Sequence, residues 1–312
     1  MTSAERKNKD RVPPAEHMSH PISGIIPPLV TPFRSDGTID EHALRSETAY
    51  LVETAKVHGL AVCGSTGEGH TLSTSETRLI TEIVTDETSG QVPIITGIIA
   101  NSTETVIERG KSVEDLGVQA LQVTPPHYLF RPDDDAMEQH FARIAKATQT
   151  PVMIYNVVPW AYLSPDLLVR ILNQVDGVIG VKQSAGDLKL LADLITRAGP
   201  DARIMTAVDA LLFPSFSLGA VGAIAAILTA VPQLCVALWD AVNAHEIGRA
   251  KELHEHLLPI WDAIFDDNLP ANVRYCMELQ GRQRGVPRAP MPATGVHQQQ
   301  PIREALAAAG VI

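Results

Sequence analysis

The chain is poor in cysteine: Cys63, Cys235 and Cys276 are the only three in 312 residues, with no CxxC spacing and an odd count. That argues against a disulfide framework and for a reducing compartment, the cytoplasm. Long apolar runs are missing too. No stretch reaches about eighteen apolar residues, so no membrane-spanning helix is expected. The opening "MTSAERKNKDRVPPAEHMSH" is charged and lacks the apolar centre of a signal peptide, and residues 1–20 read as a mobile tail. Runs of Lys and Arg are absent from the remainder and the formal charge is −11, which sets nucleic acid aside as a partner. No His/Asp cluster has metal-ligand spacing, so no metal is expected.

What is present is an ordinary globular composition, 45% hydrophobic and 20% charged. Short β-rich apolar segments alternate with longer amphipathic ones. The strand candidates are 24–30, 60–64, 92–99, 120–124, 151–156, 177–182, 203–207 and 222–226. Between them, Leu44, Thr48, Leu51, Val52 and Ala55 form one helical stripe. Ser73 and Glu76 make a capping-box pattern, and Ser164-Pro165 reads as N-cap and first helical position. Eight such units in roughly 250 residues fit an α/β fold, a (β/α)8 TIM barrel. An open doubly wound sheet is weaker, because no GxGxxG turn follows the first strand. The barrel strands and crossover helices are assigned to 21–230. The last barrel helix and extra C-terminal helices occupy 231–312.

In such a barrel the chemistry sits at the C-terminal strand ends. There the sequence places Gly64-Ser65-Thr66, Thr124, Tyr155-Asn156, Lys182 and Thr206. Lys182 ends the apolar run "GVIGV", where a lysine is unusual unless paired. A desolvated lysine favours the free amine, which attacks ketones to form Schiff bases. The plainer alternative is an ion pair with Asp187 or Asp209. "GSTGEG" (64–69) offers amides and hydroxyls able to hold a carboxylate, or is simply a glycine-rich turn. The Tyr155 phenol is placed to move protons, or is a packed aromatic.

Together these motifs resemble the family of dihydrodipicolinate synthase and N-acetylneuraminate lyase. The likeness runs from about Gly24 to Ala309 through "GIIPPLVTPF", "DGTID", "GSTGE", "VTPPHY", "YNVVP", "GVKQSAGD" and "SLGAVGAIA". The resemblance implies a Schiff-base lyase on a (β/α)8 barrel acting on pyruvate or a related 2-oxo acid with an aldehyde. Lys182 would carry the covalent imine, Tyr155 would handle protons, and Ser65 and Thr66 would bind carboxylate and continue the proton relay. Gly64 and Ala225 would belong to the substrate site, and Trp160, which stands with Tyr162 where a cation would be expected, would offer it apolar or stacking surface. No separate cofactor is implied. His127 or Tyr128 would take the place of a second relay tyrosine, and a homo-oligomer, dimer or tetramer, is implied.

The match loosens after the fifth strand. In the lysine-pathway synthases an arginine follows for the carboxylate of aspartate semialdehyde; here "YNVVPWAYLSPD" has no basic residue before Arg170. Ala207, Ala225 and Thr229 also depart from the residues usual in the family. An aldolase or hydratase-aldolase is therefore the leading expectation. 4-Hydroxy-tetrahydrodipicolinate synthase and a 2-keto-3-deoxy sugar acid aldolase or dehydratase are alternatives. From other classes come a non-catalytic 2-oxo acid binding protein and a barrel enzyme with metal or phosphate chemistry.

Overall fold

The computed structural model describes residues 21–312; the tail expected over 1–20 lies outside them. Eight parallel strands form the sheet: β1 (Gly24–Ile25), β2 (Leu60–Val62), β3 (Ile94–Ile98), β4 (Ala120–Val123), β5 (Val152–Asn156), β6 (Val178–Gln183), β7 (Arg203–Thr206) and β8 (Gly222–Ala223). They pair in the order β1-β8-β7-β6-β5-β4-β3-β2. A parallel bridge from Pro28 to Ala61 joins the two ends, with Leu29 N–H donating to Ala61 O at 2.8 Å. The sheet is thereby a closed barrel, which leaves no free edge.

Strand alternation sorts the apolar residues into two layers. Ile26, Ala61, Ile95, Ala120, Met153, Met205 and Ile224 fill the interior. Val62, Ile94, Leu121, Ile154, Val181 and Ile204 face outward against the helices. The first and last strands are shorter than their apolar runs. Pro27 and Pro28 have no N–H to donate, so regular pairing of β1 stops at Ile25.

Helix starts follow their side-chain signals. Ser73 and Glu76 close a capping box on Thr74–Thr88. The Ser164 hydroxyl accepts from Leu167 N–H at 3.3 Å at the head of Pro165–Gln174. The stripe from Leu44 to Ala55 is buried, as its spacing requires. Beyond β8 the chain is helical: Pro232–Asn243, Ile247–Ile264, Leu269–Leu279 and Val296–Ala308. The second and third of these reach the C-terminal mouth of the barrel and complete the cavity there.

Candidate active site

Lys182 sits across from Tyr155 in the β5–β6 register, so both side chains point into the barrel mouth. A bulge sets this arrangement. Between Val152 and Met153 the partner steps from Val178 to Gly180, leaving Ile179 unmatched, and such bulges re-aim the following side chains. Gly180 is needed because a Cβ there would lie 2.2 Å from the Arg203 carbonyl oxygen. The glycine in "GVIGVK" thus lets β6 approach β7 while its lysine turns inward.

Lys182 is 4% exposed, and its Nζ lies 3.8 Å from the centroid of the Tyr155 ring. The ion pairs entertained for it do not form. Asp187 caps the helix Leu188–Arg197, accepting from Lys189 N–H at 2.8 Å. Asp209 accepts from Ile227 N–H at 2.7 Å. Among the described residues no carboxylate lies within 4.0 Å of the Lys182 amine. Burial pushes the Asp209 carboxyl up to about 6, against the Ile227 amide and the Lys182 charge, which pull it down.

The Tyr155 hydroxyl shares a hydrogen bond with Ser65 Oγ at 3.2 Å. Ser65 belongs to a tight turn in which Glu68 N–H donates to Ser65 O and Gly69 N–H to Gly64 O. Cys63 (φ 58°) and Glu68 (φ 55°), neither of them glycine, hold left-handed backbone on either side of it. Among the described residues the amides of Ser65, Thr66 and Gly67 donate to no protein acceptor. Those amides and the two hydroxyls are the chemistry a carboxylate seeks.

A buried ion pair fixes the turn from below. Glu68 and Arg274 side chains are each 1% exposed, 2.6 Å apart, and Arg274 Nη2 donates to Thr31 O at 2.7 Å. Arg274 lies on Leu269–Leu279, whose first two residues line the cavity. The GSTGEG turn is therefore tied to the helix Leu269–Leu279 that helps to wall the cavity.

The cavity has a volume of about 450 Å³. Ser65, Thr66, Tyr155, Lys182 and Ala225 line it, as expected for them. Gly64 is buried beneath the turn and does not face it. Trp160 is not in the cavity either. It is 68% exposed, and its indole N–H donates to His127 O at 2.9 Å, tying it to the β4 loop. Tyr128 is 72% exposed and outside the cavity of its own chain. Asn101 Oδ1 accepts from the His127 and Tyr128 amides, which fixes the backbone of this loop. The aromatic surface expected from Trp160 comes instead from Trp261 and Phe265. Their i,i+4 spacing marks one helix face, but nothing local says that this face meets the barrel mouth.

The Dihydrodipicolinate synthetase family model matches residues 21–309. A 4-hydroxy-tetrahydrodipicolinate synthase of Methanopyrus kandleri is 34% identical over 298 residues, covering 95% of this chain and 99% of that protein. A crystal structure of dihydrodipicolinate synthase superposes with a TM-score of 0.86 at 28% identity, covering 93% of this chain and 100% of the other. The Clostridium difficile protein CdNal, solved in complex with mannosamine, gives 0.85 at 25% identity, covering 92% and 99%. Barrel, strand-end lysine and whole-length match agree: the chain belongs to the dihydrodipicolinate synthetase family and is an enzyme of its lyase type.

Proposed function

We propose that this chain makes or breaks a carbon–carbon bond between a 2-oxo acid, pyruvate first among them, and an aldehyde, through an imine on Lys182. The observation that carries the reading is a buried lysine without a carboxylate partner, packed on a tyrosine that is hydrogen-bonded to Ser65. Ser65, Thr66 and the free amides of their turn take the acid's carboxylate. Lys182 Nζ adds to C2 of the ketone. Tyr155 protonates the departing hydroxyl, so water leaves and the iminium forms. Loss of a C3 proton gives the enamine, whose C3 attacks the aldehyde carbon while the aldehyde oxygen gains a proton. Water then releases the product from the lysine, and the reverse sequence cleaves it. The iminium supplies the polarisation that a metal supplies elsewhere, so the scheme needs no further cofactor.

A second reading is 4-hydroxy-tetrahydrodipicolinate synthase, the name of the relative from Methanopyrus kandleri. Against it, Lys182 is the only Lys or Arg among the described residues that lines the cavity, so a second substrate carboxylate finds no fixed cation there. Pyruvate consumption with a panel of aldehydes decides between them. Turnover lost in Lys182→Ala supports the imine scheme, and selective use of aspartate semialdehyde favours the second reading.

The proposed assembly is a homodimer or higher homo-oligomer in the cytoplasm. Tyr128, Leu129, Phe130 and Trp160 form an exposed apolar patch on the β4 and β5 loops, of the kind that marks a contact with another chain. Among the described residues no helix is long and apolar enough to cross a membrane.

A further inference from the structure

The cavity is chemically divided. At its floor stand Lys182, Tyr155, Ser65 and Thr66, the polar groups that the 2-oxo acid occupies. The rest of its lining is mostly apolar, with Val157, Val208, Trp261, Phe265, Leu269 and Pro270, and Ser184 adds one hydroxyl. Among the described residues only two charged side chains face the space, Lys182 and Asp209. Once Lys182 is bonded to the first substrate, no cation is left for the second. The remaining charge is of the sign that repels a carboxylate, and Asp209 is fixed where it stands by the Ile227 amide.

The outer wall has a specific shape. Trp261 lies in the last turn of Ile247–Ile264 and Phe265 is the residue that caps its end, with ring centroids 5.0 Å apart and planes inclined by 33°. Phe265 is 65% exposed although it borders a cavity, leaving an aromatic face open beside the reacting lysine. Leu269 and Pro270 continue that surface into the next helix. Aromatic and apolar bodies are what such a surface binds, and pockets of this size hold a substrate of one or two rings.

We infer that the acceptor is an aldehyde with an aromatic or bulky apolar body and no carboxylate, seated against Trp261, Phe265, Leu269 and Pro270. This rests on the reading that Lys182 forms the enamine. It assigns specificity to helices that follow the barrel rather than to the loop after β5, where Trp160 turns outward.

The test uses the full chain with pyruvate and two sets of aldehydes: benzaldehyde and cinnamaldehyde, against glyoxylate, succinic semialdehyde and aspartate semialdehyde. The expected result is a kcat/KM at least about tenfold higher for the aromatic set. Trp261→Ala and Phe265→Ala should each raise KM for benzaldehyde by about tenfold and KM for pyruvate by less than about twofold, with Trp261→Phe restoring part of the loss. Borohydride trapping of pyruvate on Lys182 is run alongside. A trapped adduct with preference for the carboxylated set overturns the acceptor assignment and leaves the imine reading standing. So does a trapped adduct with equal rises in both KM values, or with neither rising. No adduct with pyruvate or any longer 2-oxo acid removes the imine reading and the acceptor assignment together.

Discussion

Three buried cations in this chain are treated in two opposite ways. Arg274 is held by Glu68 at 2.6 Å and by the Thr31 and Pro270 carbonyls, so its charge is neutralised and hydrogen-bonded. Arg282 is held likewise by Glu47 and by the Ala230 and Thr229 carbonyls. Lys182 has a ring face at 3.8 Å and, among the described residues, no carboxylate within ion-pair distance. A buried charge is costly unless it is paired, and a fold that pairs its arginines so fully has left one lysine out of that arrangement. The arginines hold the architecture. The lysine is the one that the proposed imine scheme uses.

The largest difference between the two regions should appear on deletion. Lys182→Ala should reduce turnover by about 10³-fold or more while thermal stability stays level or rises, since no ion pair is broken. Steady-state kinetics and calorimetry on the same preparation check both halves. Arg274→Met should do the reverse, lowering stability by about 3–5 kcal/mol because the buried Glu68 carboxylate loses its cation and keeps only the Arg288 amide. Adding Glu68→Gln to that variant should recover much of the loss, as chemical denaturation would read.

Tyr155→Phe keeps the ring beside Lys182 and removes the hydroxyl shared with Ser65. A loss of about 10²-fold in kcat with little change in stability is expected, and single-turnover kinetics would locate it in imine formation. The smallest effect concerns Asp209. Its carboxyl is raised to about 6, so the folded chain holds that proton more tightly than the unfolded chain does. Stability from this group therefore falls as pH rises from about 4 to about 6, and the full penalty remains above that. Asp209→Asn should match the parent near pH 4 and exceed it by about 1–3 kcal/mol at pH 7, read from melting curves across that range.

The residues of the candidate site were legible because they are carried by local pattern. A lysine closing an apolar strand, a tyrosine closing the one before, and a glycine turn with two hydroxyls after the second strand each show within a few residues. Their meeting follows once the strands close into a barrel. Side-chain direction on the loops was not legible. Trp160 and Tyr128 sit at the right places in sequence, but the Trp160 indole is drawn to His127 O and Asn101 holds the Tyr128 amide. Nor does local pattern reveal long-range walls. Trp261 and Phe265 read as one face of a C-terminal helix, and only the packing of Leu269–Leu279 under the GSTGEG turn brings that face to the mouth. The Glu68–Arg274 pair that does this joins residues far apart in the chain and has no local signature.

The measurement that bears most directly on the unpaired lysine is reduction with borohydride in the presence of pyruvate, followed by peptide mapping by mass spectrometry. The account predicts a single reduced pyruvyl adduct on Lys182, absent from Lys182→Ala and formed more slowly in Tyr155→Phe. An adduct on another lysine, or none with any 2-oxo acid, would contradict it and leave Lys182 as a packed side chain of the barrel mouth.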